Sequence, residues 1–197
     1  MGCGSRAGKM EMHSAGKPYV EQDLCIGCGA CARICAHDAP HITDGKSSID
    51  HNKCVGCGRC VGVCPVDAVQ PASDESFDIL SAKIAEYAKA VVDGRPSFHI
   101  TIANAISPNC DCHGENDVPI VPDIGMFASF DPVALDQACI DAVNRQKRLP
   151  NTFIDDHGDP SIADVFTAAH PTTNWRASIE HGRKIGLGTD EYELIRI

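Results

Sequence analysis

Eight of the 12 cysteines in this 197-residue chain fall in one short stretch, as CIGCGACARIC from Cys25 to Cys35 and CVGCGRCVGVCP from Cys54 to Pro65. Both runs carry the spacing C-x2-C-x2-C-x3-C, which gives Cys25, Cys28, Cys31, Cys35 and Cys54, Cys57, Cys60, Cys64. The shift that lays Cys25 on Cys54 also lays Gly27 on Gly56, Gly29 on Gly58, Asp38 on Asp67 and Ala39 on Ala68, so one half-unit is used twice. Thiols this dense leave no room for long helices or strands. The backbone must curl, and glycine between the thiols reaches left-handed conformations without a Cβ penalty.

The spacing is that by which a bacterial ferredoxin loop wraps a cubane [4Fe-4S] cluster, with the fourth cysteine of each run serving the other cluster. On that reading Cys25, Cys28, Cys31 and Cys64 hold one cluster, and Cys54, Cys57, Cys60 and Cys35 hold a second. Zinc fits the pattern poorly, because its sites pair two knuckles across a longer spacer. A disulfide framework suits small exported domains, and no apolar signal segment is read here. Ala36 follows Cys35 where Pro65 follows Cys64, which reads as a change in loop stiffness, since ligation needs only the sulfur. With both clusters complete, His37 and His41 read as surface or hydrogen-bonding residues.

With 17 basic and 27 acidic residues the formal charge is −10. That excludes a basic face able to displace phosphate counterions, so nucleic acid is not an expected partner, whereas an acidic surface suits a redox protein with a basic patch. No apolar run approaches the ~20 residues that span a bilayer, so no membrane role is expected. Cysteine density of this kind implies a reducing cytoplasm.

Along the chain, residues 1–16 read as an irregular leader and 17–72 as a ferredoxin-like two-cluster domain. Short strands are expected within 17–24 and 46–53, a hairpin turn at Asp44-Gly45, and short helices over Ala30 to Cys35 and Arg59 to Cys64. After a linker at 71–77, apolar residues at three- and four-residue steps predict a helix over 77–93 ending at Gly94. The run from Ser97 to Ile106 reads as a buried strand and 118–130 as one or two extended pieces. Asp131-Pro132 opens a helix over 132–146. A polar loop over 150–160, helices near 161–168 and 174–186 and a final strand over 192–197 complete the reading. The fold class is thus an α+β two-cluster module followed by an α/β region, 73–197, with a parallel or mixed sheet. Two or three strands are few for such a sheet, so this region reads as half of a larger α/β domain.

Cys110, Cys112 and His113, in SPNCDCHG directly after the expected strand, offer soft or borderline metal donors and form a possible further site. His157 and His170 are distant candidates to complete it. Cys3 reads as a lone thiol, Cys139 as a small buried hydrophobe. Trp175 and Arg176 read as a packing anchor and a solvated charge.

The two cysteine runs, together with CDCHGENDVPIVPDIGMFASFDPVALDQA (110–138) and HPTTNWRASIEHGRKIGLGTDEYELI (170–195), resemble the DUF362 family of Fe-S centre proteins. The resemblance implies a long α/β region before the ferredoxin module. It therefore implies that these residues lack a first half, or work with it as a second subunit.

Three functions follow as expectations. In one, two low-potential clusters pass single electrons between a donor and an acceptor. In the other, the clusters feed a catalytic site around Cys110, Cys112 and His113. A redox sensor that signals by losing its clusters is a third.

Overall fold

The computed structural model describes residues 4, 6–13, 17–71, 77–110 and 117–197. The chain divides into two compact units, Met1–Leu80 and Ser81–Ile197.

In the first unit the sequence repeat becomes a pseudo-two-fold. Strand β1 (Tyr19–Val20) pairs antiparallel with β4 (Val69–Gln70), and β2 (Pro40–Thr43) with β3 (Lys46–Ile49). Val20 stands opposite Val69 just as Ile49 stands opposite Pro40, pairs related by the shift that superposes the cysteines. Hydrogen bonds repeat with them. The Glu21 amide donates to the Ala68 carbonyl at 2.7 Å, and the Asp50 amide to the Ala39 carbonyl at 2.8 Å. Lys17 Nζ donates to the His51 carbonyl, and Lys46 Nζ to the Gln22 carbonyl at 2.8 Å. Each half is therefore tied to the other by the same bonds made twice.

Local conformation explains the curl between the thiols. Gly27, Gly29, Gly56 and Gly58 all have φ between 66° and 75°. At Gly27 the need for glycine is double, since a Cβ there would also lie 2.1 Å from the Gly45 carbonyl oxygen. Asp44 (φ 51°) and Gly45 (φ 75°) make the expected two-residue hairpin turn between Thr43 and Lys46. Helix α2 (Ala30–Ile34) forms as expected, but its counterpart is only a 3₁₀ turn, Val61–Val63, with Gly62 inside it.

The leader is not wholly irregular. Helix α1 (Arg6–His13) forms there and buries Gly8 and Met12, four residues apart on one face. The expected linker lies mostly outside the described residues.

The second unit holds α3 (Phe77–Val92) from Ser81 onward, followed by β5 (His99–Ala103), β6 (Gly125–Ser129), α4 (Pro132–Asn144), α5 (Phe153–Asp156), α6 (Val165–Ala169) and α7 (Arg176–Lys184). Asp131 caps α4 as its sequence foretells, its carboxylate accepting from the Val133 and Ala134 amides at 2.9 and 3.0 Å. The core gathers Ile120, Val121, Val143, Ile154, Val165 and Ala168.

Four expectations fail here. β5 and β6 pair antiparallel, not parallel, because described residues 104–110 and 117–124 supply no crossover helix to bring a parallel strand back. Nor is β5 fully buried: Ile100 and Ile102 point outward opposite Ala128 and Met126, with Ile102 64% exposed. Helix α5 interrupts the expected polar loop. It is held by a reciprocal capping box, in which the Asp155 carboxylate accepts from the Thr152 amide at 3.1 Å. Residues 192–197 form no strand.

Candidate metal centre

Two cavities in the first unit collect all eight thiols of the cysteine runs. One is lined by Cys25, Cys28, Cys31 and Cys64, the other by Cys35, Cys54, Cys57 and Cys60. Each wall takes three thiols from one cysteine run and one from the other. The two donor sets match, four thiols to each cavity. The remaining lining is largely apolar, with Ile26 at one mouth and its repeat-equivalent Val55 at the other, both exposed.

Backbone amides are aimed at the sulfurs. Ser47 donates its N–H to Cys25 Sγ at 3.3 Å, Ala68 to Cys64 Sγ at 3.2 Å, Gly56 to Cys54 Sγ at 3.4 Å and His37 to Cys35 Sγ at 3.4 Å. The Ser47 hydroxyl lies 3.2 Å from Cys31 Sγ. Donors in this arrangement stabilise negative charge on sulfur. At Cys25 the Ser47 and Gly27 amides hold the thiol below its ordinary value, and the Lys46 ammonium adds to the effect. At Cys60 burial wins over its local amides and pushes the thiol up to about 11.

This chemistry fits an iron–sulfur cluster in each cavity: four thiols, apolar walls and N–H donors to the sulfurs. Among the described residues, no group of three or more His, Cys, Asp and Glu side chains comes together in a way that could hold a metal ion. The thiols surround a space and do not converge on a point.

The other site residues read from the sequence are placed differently. Cys110 is exposed, while Cys112, His113 and Cys3 lie outside the described residues. His170 bonds the Pro108 carbonyl at 2.8 Å through Nε2, and its ring packs at a tilt against Phe153, as does that of His157. His41 bonds Ser48 Oγ at 2.8 Å on the surface, and His37 contributes its amide and part of a cavity wall. Cys139 is buried on α4. Trp175 donates to Asp164, and the Arg176 guanidinium lies 4.3 Å over its ring. Sequence reasoning missed Ser47. Its signal was the alignment of Lys46-Ser47 with Lys17-Pro18 across the repeat.

Among the described residues no helix is long and apolar enough to cross a membrane. None of the curated proteins matches the chain. The sequence model of the family described as Domain of unknown function (DUF362) matches residues 1–141, which is most of the chain and includes both cysteine runs. The chain belongs to the DUF362 family.

Proposed function

We propose that this chain is an electron carrier that holds two [4Fe-4S] clusters, one in each thiol-lined cavity. The observation that carries the reading is the division of eight thiols into two sets of four, each completed by a cysteine from the opposite run. A bound cluster of this type supplies a low-potential one-electron couple. The chain's own residues do the rest. Eight thiolates bind, the amides of Ser47, Gly56, Ala68 and His37 offset charge on sulfur, and Ile26 and Val55 restrict water at the mouths.

A protein partner belongs to the same proposal. Ile100 and Ile102 with Met126 and Ala128 make an apolar outer face on the β5–β6 pair, extended by Phe98 and Phe130 in edge contact at 4.9 Å, and Phe130 is 78% exposed. Exposed apolar surface of this kind suits cover by another polypeptide, in this proposal a first half of the α/β fold or a second subunit. The cytoplasm suits the thiols, which must stay reduced to ligate.

Anaerobic preparation should yield about eight irons per chain with matching sulfide and an EPR signal on reduction. Serine variants then test the division. Cys64→Ser and Cys25→Ser should disturb the same signal, and Cys35→Ser and Cys54→Ser the other. Colourless protein carrying zinc would sink the reading, and a Cys64→Ser spectrum that groups with Cys54→Ser would refute the exchange of ligands.

A further inference from the structure

The two cavities are built from one repeated half-unit, so each wall position has a counterpart, and a mismatch isolates what one site has and the other lacks. Most positions match. Lys46 on one side corresponds to Lys17 on the other, and each reaches across to the equivalent carbonyl. Gln22 Nε2 donates to the Ser47 carbonyl at 2.9 Å, and His51 Nε2 bonds the Pro18 carbonyl at 3.0 Å, so the backbone at Ser47 and at Pro18 is held from the same side by equivalent residues. The arginines do not correspond: Arg33 donates to the Cys28 carbonyl at 3.0 Å and is not part of its cavity's wall, whereas Arg59 lines the other cavity.

Ser47 and Pro18 themselves do not match. Ser47 lines the cavity of Cys25, Cys28, Cys31 and Cys64, is 2% exposed, and bonds two of its sulfurs, Cys25 Sγ through the amide and Cys31 Sγ through the hydroxyl. Pro18 lines the cavity of Cys35, Cys54, Cys57 and Cys60 and has neither an N–H nor a hydroxyl to offer. Hydrogen bonds to cluster sulfurs raise a reduction potential, because reduction adds negative charge that the donors stabilise.

We infer that the two sites are unequal redox centres: the site of Cys25, Cys28, Cys31 and Cys64 has the higher potential, set by Ser47, and the site facing Pro18 has the lower. The inference rests on the two-cluster reading. One electron from a low-potential donor protein, entering at the Pro18 site, then moves downhill to the Ser47 site, which gives the carrier a direction. Nothing but the electron is exchanged between the sites.

The test is an anaerobic redox titration of the full chain followed by EPR, with iron and sulfide measured first. Wild type should show two resolved one-electron steps. Ser47→Ala should lower the upper step and leave the lower one, by about tenfold in the equilibrium, or about 59 mV. Pro18→Ser should raise the lower step and leave the upper. Two indistinguishable steps in the wild type overturn the inference, as does a Ser47→Ala protein with full iron in which neither step moves or the lower one does. Where Ser47→Ala does not retain iron, Pro18→Ser decides alone: a raised lower step supports the inference and an unmoved one overturns it. Wild type without cluster iron is a different failure, that of the two-cluster reading, and the iron analysis identifies it before any titration.

Discussion

The two units solve the problem of making a core in opposite ways. In the second, aliphatic side chains such as Ile120, Val121, Ile154 and Val165 close on one another, and removal of that surface from water is what stabilises the fold. In the first, strands are two to four residues long, and the buried cluster centres on Cys31, Cys60 and Val69. Two of those three are thiols that line the cavities. One unit encloses its own apolar surface; the other encloses two thiol-lined cavities. Where a site exists only in the folded chain, the free energy of filling it is folding free energy.

The largest effect should come from iron. Protein prepared without iron and sulfide, or treated with a chelator under reducing conditions, should lose amide protection across residues 17–71, while α4 and α6 keep theirs. A loss of more than about 4 kcal/mol in the first unit is expected, the scale of linkage at a ligand excess of about 1,000 Kd. Hydrogen exchange read by mass spectrometry checks this. Equal protection of the first unit with and without iron would erase the contrast.

A smaller effect, confined to the second unit, should follow Asp164→Ala. The Asp164 carboxylate caps α6 through the Thr167 amide at 2.8 Å and accepts from Asn144 Nδ2 at 3.1 Å and Trp175 Nε1 at 3.1 Å. Losing the cap and leaving the indole N–H without its acceptor should cost about 2–4 kcal/mol in urea unfolding, with iron content unchanged. The cost should depend on pH. Burial opposes the charged form, but the bonds from Thr167, Trp175 and Asn144 outweigh it and hold the carboxyl below its ordinary value. A lowered folded value means that the stabilisation is fully present above the unfolded carboxylate's pKa and is lost as pH falls through the folded one. The gap between wild type and variant should therefore stay constant above about pH 5 and close below about pH 4. A gap that stayed constant through acid would show that Asp164 acts through its shape and not its charge, and one that widened would mean that the folded carboxyl titrates above its unfolded value.

Legibility in the sequence follows the same division. In the first unit the constraints are local: thiol spacing groups Cys64 with Cys25, and those thiols share a cavity wall. What fills the cavity is a question for iron analysis. Asp44-Gly45 likewise named its hairpin, because both residues must reach positive φ. In the second unit, α3 and α4 were readable from period and cap, whereas the direction of β5 against β6 depends on how a distant segment returns. Composition misleads at β5, where the apolar run from Ser97 to Ile106 reads as a buried strand though Ile100 and Ile102 face outward. Helix α5 carried a visible signal in Thr152 and Asp155, three residues apart, obscured by the polar residues around it. Ser47 was visible as a mismatch with Pro18, but only the folded chain sets its hydroxyl against Cys31.

The smallest predicted effect concerns thiols that look alike in sequence. Cys139 lies in the packed face of α4, where burial, with the Asp136 charge beside it, pushes its thiol up to about 11. At pH 8 almost none of it is thiolate, the form that reacts with alkylating reagents. In iron-free protein, where the first unit no longer shields its cysteines, the eight thiols from Cys25 to Cys64 should label at ordinary rates and Cys139 about 10²-fold more slowly. Raising the pH from 8 to 10 should speed Cys139 about tenfold per pH unit, while labelling of the others levels off above about pH 8.5. Site-resolved mass spectrometry reads both rates. Labelling of Cys139 as fast as Cys25 would mean that the aliphatic core had opened together with the cysteine unit, and that the two units do not fold on separate terms.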